Sequence, residues 1–193
     1  MKKIVALAVL SLFIGCGKEK SVQNTEGKPS ESTQKPLAIA DVSGKAFSFG
    51  PEFNAETCEI IAECDCCGSD FLFLDDSRFV VIAYCLEGDS FLKGTYRIVG
   101  SKIEMTYEGE MIVQETNWEK EADSTKTEAP FYFEKAEPAP KKGLTLSRQH
   151  CNGDRLILKL EGNENDFGAE EGKLGQAIAQ LKKSGIWQKL GSN

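Results

Sequence analysis

From residue 69 onward the chain alternates apolar and polar residues with period two, the signature of half-buried strands. Ser69 to Leu74 reads as a first strand and Asp75-Asp76-Ser77 as its turn. Arg78 to Cys85 follows, with Phe79, Val81, Ala83 and Cys85 on one face. Gly88 and Asp89 are expected to turn the chain into Phe91–Val99, and Gly100-Ser101 turns it again into Lys102–Tyr107. Gly109 should break that strand before Met111–Trp118. Glu119 to Ala129 is a polar loop, Phe131-Tyr132-Phe133 a strand, and Pro138 to Gly143 a second loop. Leu144–Cys151 and Arg155–Leu160 flank Asn152-Gly153, a pair suited to a tight hairpin. About eight short antiparallel strands predict a mainly β domain, a barrel or sandwich.

The ends of the chain follow other rules. Leu174, Ala177, Ile178 and Leu181 fall on one stripe of a helix, with Lys182 and Lys183 in its last turn and Gly185 to end it. Residues 1–15 hold Lys2 and Lys3 and then an apolar run, Ile4 to Ile14, interrupted only by Ser11. That run is shorter than the roughly 20 residues of a membrane-spanning helix and has the length of a signal-peptide core. Residues 16–38 carry almost no large apolar side chain and read as a disordered tether. The folded domain is then expected over 39–193.

The stretch Leu12-Phe13-Ile14-Gly15-Cys16 resembles a bacterial lipoprotein signal, in which a small residue precedes the cysteine that is lipidated. Gly15 and Cys16 match; Phe13 departs from the usual Leu. The resemblance implies an acylated Cys16 and a membrane contact made by lipid alone, each buried CH₂ contributing about 0.8 kcal/mol. Gly17 stands where an Asp would resemble an inner-membrane retention signal, so the expected location is the outer membrane, on its periplasmic or surface face. Lys18-Glu19-Lys20 faintly resembles the charged tags of surface-exposed lipoproteins.

The series from SDFLFLDDSRFVVIAYC to GTYRIVGSKIEMTYEG resembles the lipocalin-like domains of small bacterial lipoproteins over about residues 69–160. It implies a closed or nearly closed antiparallel barrel. Its interior would be packed or would hold a small apolar ligand; an envelope protein is the other expected partner. Phe71, Phe73, Phe79, Tyr96 and Phe133 are expected in the core, some of them bordering any cavity. Trp118 and Trp187 read as core or rim.

Charge and chemistry narrow the classes. The net charge is −7, and removing residues 1–15 takes away two lysines and brings it to −9. Such a surface is a poor fit to nucleic acid. There is one histidine and no Gly-x-Ser-x-Gly, phosphate loop or dinucleotide fingerprint, so the reading is non-enzymatic, with acidic residues mostly solvated.

Seven cysteines are the remaining chemistry. Apart from Cys16 they are Cys58, Cys64, Cys66, Cys67, Cys85 and Cys151, an even number that in an exported protein favours disulfides. Adjacent Cys66 and Cys67 should seek different partners, and Cys85 and Cys151, each ending a strand, could reach back to the 58–67 segment and staple it to the barrel. The alternative is a copper or zinc site built by Cys58, Cys64, Cys66 and Cys67 and completed by His150, since soft thiolates select these metals. His150 and Cys151 would then point to opposite faces of one strand. A redox pair with one exposed, acidified thiol is the third possibility. The copper-responsive outer-membrane lipoproteins carry a Cys-x-x-Cys near the first strand, a spacing Cys64 and Cys67 share and Cys58 and Cys66 do not fit.

Overall fold

The computed structural model describes residues 35–61, 68–85, 88–123, 125–127, 131–152, 155–163 and 166–191. Among the described residues eleven strands follow one another: β1 Lys45–Gly50, β2 Glu52–Asn54, β3 Glu59–Ile61, β4 Gly68–Phe73, β5 Arg78–Cys85, β6 Gly88–Val99, β7 Lys102–Thr116, β8 Phe131–Pro138, β9 Leu144–Gln149, β10 Ile157–Leu160 and β11 Phe167–Glu171. The described residues also hold a 3-10 turn at Ile39–Asp41 and three α-helices: α1 Trp118–Ala122, α2 Leu174–Lys183 and α3 Ile186–Lys189.

Eight strands close a barrel in the order β1-β4-β5-β6-β7-β9-β10-β11, and β11 pairs back onto β1, every pairing antiparallel. With the C-terminal helix on its wall this is a lipocalin-like barrel. Closure removes the edges that an open sheet would expose. The upper half of β7 instead carries β8 (Met111↔Glu137, Gln114↔Glu134).

Alternation sorts the barrel's side chains into two layers. Phe47, Phe71, Phe73, Phe79, Tyr96 and Ile103 point inward and are buried in one cluster. Their rings meet edge to face: Phe73 stands 5.8 Å from Phe47 and 4.9 Å from Tyr96. Two glycines make room for rings on the neighbouring strand. A Cβ on Gly94 would come within 2.9 Å of the Phe79 ring opposite it, and one on Gly168 within 2.2 Å of Phe49. Aromatic rings make up much of this inner cluster, with Met105, Leu146 and Leu158 beside them.

The outer face of β1, β4, β5 and β6 is apolar as well, through Ala46, Leu72, Val80, Ile82 and Phe91. Leu174, Ala177 and Leu181 of α2, with Ile186 and Leu190 at α3, cover it. Gly185, at φ 81°, supplies the left-handed residue that separates the two helices.

Residues 35–44 cross one end of the barrel. The Leu37 N–H donates to Gly100 O at 2.9 Å and the Gly44 N–H to Phe73 O at 2.9 Å. The folded domain thus reaches back beyond residue 39, for Leu37 belongs to the inner cluster. Arg148 of β9 reaches Asp41 at 3.3 Å over the same end.

Several expectations are corrected. Gly88 and Asp89 are not a turn; they lie in β6 opposite Cys85 and Tyr84. Gly109 does not end its strand: at φ 74° it sits in a bulge opposite Leu92, where the register passes from Lys93↔Glu108 to Phe91↔Ile112. Trp118 opens α1 rather than closing a strand, because the Asn117 side chain accepts the Lys120 N–H and caps a helix there. β9 and β10 do pair, but they stop at Gln149 and resume at Ile157, so the connection runs over 150–156 and is longer than a two-residue turn; Gly153 lies outside the described residues. Cys151 is drawn out of the strand toward Cys58 instead. Among the core expectations, Phe71, Phe73, Phe79 and Tyr96 are buried. The side chain of Phe133 lies outside the described residues.

Candidate functional site

The wall of the barrel carries a second element on its other flank. After Gly50 the chain folds back as the hairpin β2–β3, a two-stranded sheet separate from the barrel ladder. Phe53 and Ile60 pack with Phe167, Ala169 and Ile157 on the outside of β10 and β11. The Phe53 and Phe167 rings stack at 5.2 Å. At the hairpin tip Asn54 Oδ1 accepts the N–H groups of Glu56 and Thr57 at 2.9 and 3.2 Å, shaping the turn.

The tip ends in Cys58, which is bonded to Cys151 across a sequence separation of 93 with Cα atoms 5.7 Å apart. Cys58 holds φ 61°, a left-handed conformation disfavoured for any residue with a Cβ. Cys85 is also disulfide-bonded. Two of the six candidate cysteines are therefore joined to each other, and the sulfur of Cys58 is not a free thiolate. Cys16, Cys64, Cys66 and Cys67 lie outside the described residues. His150 is exposed while Cys151 is buried, but both lie beyond the end of β9 at Gln149, so strand alternation does not set their directions. Among the described residues no group of three or more His, Cys, Asp or Glu is placed to hold a metal ion.

Between the hairpin and the wall runs a cleft of about 490 Å³. β3 contributes Glu59 and Ile60, β1 contributes Ser48 and Phe49, and β11 contributes Ala169 and Glu171. Arg155 stands at its edge, donating to Cys58 O at 3.4 Å and to Glu170 O at 3.3 Å, so its guanidinium bridges hairpin and barrel.

A polar row continues from the cleft along the wall. The Ser48 hydroxyl donates to Asp70 Oδ1 at 2.6 Å and the Tyr84 hydroxyl to Asp70 Oδ2 at 3.0 Å. Partial burial, and then the Asp70 carboxylate, push the Tyr84 phenol well above its ordinary pKa, although the residue as a whole remains 39% exposed. Burial likewise raises the Asp89 carboxyl beside it. At the lower rim Lys173 pairs with Glu171 at 2.6 Å. The row separates the hairpin from α2, so the wall offers a polar strip between two apolar covers.

This arrangement can hold a polar or charged group by hydrogen bonds. Ser48 has no histidine partner among the described residues, and its proton is committed to a carboxylate, which is not the layout of an activated nucleophile.

Strand alternation alone did not mark these residues. β1 was legible in principle, since Lys45-Ala46-Phe47-Ser48-Phe49 alternates and ends at Gly50-Pro51. Arg155 and Glu59 gave no signal. The expectation that Cys151 reaches back to the 58–67 segment is met by its bond to Cys58. No protein-family model, no curated protein and no solved structure matches the chain.

Proposed function

We propose that the chain is an exported, non-enzymatic lipoprotein, held at the bacterial outer membrane through Cys16, whose barrel works as a binding or envelope-sensing module. The disulfide between Cys58 and Cys151 carries this reading. Such bonds persist in oxidising compartments and are rare in the cytosol. They fit the export segment that ends at Gly15-Cys16. No helix of the described residues is long and apolar enough to cross a membrane, and a lipid anchor needs none.

The packed aromatic interior favours contact at the outer wall over uptake of an apolar ligand. The cleft beside the hairpin is one surface that combines depth with polar groups.

Fractionation tests the anchor. The full-length protein is expected in the membrane pellet, extractable by detergent, with Cys16 carrying acyl mass. Cys16→Ser should move it to the soluble fraction or leave residues 1–15 uncleaved. Unchanged partition of a processed Cys16→Ser protein would overturn the lipid anchor.

A further inference from the structure

We propose that Cys58–Cys151 is a redox latch: reduction by a dithiol frees the β2–β3 hairpin from the wall while the barrel stays closed. The inference rests on the described hairpin and goes beyond the lipoprotein reading, on which it does not depend.

The hairpin is built to be separable. Its ladder has three residue pairs, Glu52↔Ile61, Phe53↔Ile60 and Asn54↔Glu59, in a sheet of its own. A lone two-stranded hairpin of that length is marginal in water. Its polar ties to the barrel side are long. Asn152 N–H reaches Ala55 O at 3.4 Å, and Arg155 reaches Cys58 O at 3.4 Å. The apolar cluster beneath it, with Phe53, Ile60, Phe167, Ile157 and Ala169, shares no residue with the aromatic cluster inside the barrel. Opening the hairpin therefore removes nothing from the inner layer. The left-handed backbone at Cys58 is also released, since an unlatched tip can relax to φ below zero.

The chemistry balances as an ordinary exchange. One thiolate of the dithiol attacks a sulfur of the Cys58–Cys151 bond and forms a mixed disulfide, expelling the other cysteine as a thiolate. The second thiol of the reagent then closes on the first. Two electrons pass to the protein, which gains two thiols, and the dithiol leaves as a disulfide. Cys58 and Cys151 are buried while the neighbouring tip residues Ala55, Glu56 and Thr57 are exposed, so attack follows fraying of the tip. Once free, the hairpin withdraws Glu59 and Ile60 from the cleft and uncovers Ile157 and Ala169. The latch thus sets the width of the surface described above.

Amide hydrogen exchange, read by mass spectrometry on the full-length protein with dithiothreitol as the dithiol, tests this. Alkylation before digestion reports whether Cys58 and Cys151 have been reduced. The expected result is a rise of about ten-fold or more in exchange over 53–60, with β5 and β6 unchanged within about two-fold. Cys58→Ser/Cys151→Ser without reductant should reproduce it, separating this bond from that of Cys85. If the double variant does not accumulate, the folded protein reduced in place decides. Three outcomes overturn the latch: a hairpin equally protected after reduction, loss of protection in hairpin and barrel together, or a bond that the dithiol cannot reach in the folded protein.

Discussion

The barrel interior and the β2–β3 hairpin are both β-structure capped by aromatic rings, yet they are held in different ways. Inside, Phe73 touches two other rings, and its strand is hydrogen-bonded on both sides, to β1 and to β5. In the hairpin, among the described residues, Phe53 has one ring partner, Phe167, and its strand has one neighbour. A ring fixed from every side reports on the whole fold. A ring fixed from one side reports on a local contact that a covalent bond maintains. Burial holds the first region, and a disulfide spanning 93 residues holds the second.

The strongest way to break this contrast is Phe73→Ala. The side chain is fully buried, so its loss leaves a cavity that the surrounding rings cannot fill. Global stability in urea should fall by about 3–5 kcal/mol, with the barrel strands unfolding in one transition. A loss under about 1 kcal/mol would mean that the interior is loosely filled.

Phe53→Ala sharpens the same comparison with a smaller effect. Phe53 is half-buried against a wall whose strands are paired without it. Global stability should drop by about 1–2 kcal/mol, less than for a ring packed in a core, while hairpin amides exchange faster with the disulfide intact. A loss equal to that of Phe73→Ala would make the hairpin part of the barrel's cooperative unit.

The contrast also explains how much the sequence disclosed. Strands such as Arg78–Cys85 were legible because period two is a local property, although here both faces are buried, Phe79 and Val81 inward and Val80 and Ile82 under the helices. The helical stripe through Leu174 and Leu181 was legible for the same reason. The expected count of about eight strands matches the eight that close the barrel, but not all of its members. Met111–Trp118 was counted apart although it continues β7 past Gly109, and Phe131–Phe133 lies in β8, beside the closed ring. β1 and β11, which close it, were not counted. β11 is short and reads Phe-Gly-Ala-Glu-Glu; its inward position is Gly168, chosen for the ring of Phe49 across the strand pair, and an apolar pattern cannot register a glycine. The cleft was less legible still. Ser48, Asp70 and Tyr84 lie on three strands, and their meeting depends on the register Ser48↔Asp70 and Gly68↔Tyr84. Cysteine parity pointed to disulfides without choosing Cys58 and Cys151, because connectivity depends on where a hairpin folds back.

The smallest predicted effect compares two turns of the same design. In the barrel, Asp75 Oδ1 accepts the N–H groups of Ser77 and Arg78 at 3.0 and 2.8 Å. In the hairpin, Asn54 Oδ1 does the same for Glu56 and Thr57. One oxygen belongs to a titratable group and the other does not. What burial Asp75 has acts to raise its pKa, but the Ser77 N–H, then the Arg78 side chain at 2.6 Å, outweigh it and hold the carboxyl at about 2. Its folded pKa lies below the unfolded value, so its contribution is complete above about pH 4 and is lost as pH falls toward 2. Asp75 is partly exposed, and screening reduces the effect to on the order of 1 kcal/mol. The turn matters to the core because Asp75 O accepts the Tyr96 hydroxyl at 2.5 Å, tying the loop to the inner layer. Urea melts of the native protein and of Asp75→Asn, compared at pH 7 and pH 2.5, should converge as acid is added, since Asn keeps the turn's acceptor and has no charge to lose. Hydrogen exchange over Asn54 to Cys58, corrected for the intrinsic pH dependence of amide exchange, should stay flat across the same window. A gap between the two proteins that widens in acid would show that Asp75 does not supply this part of the barrel's stability.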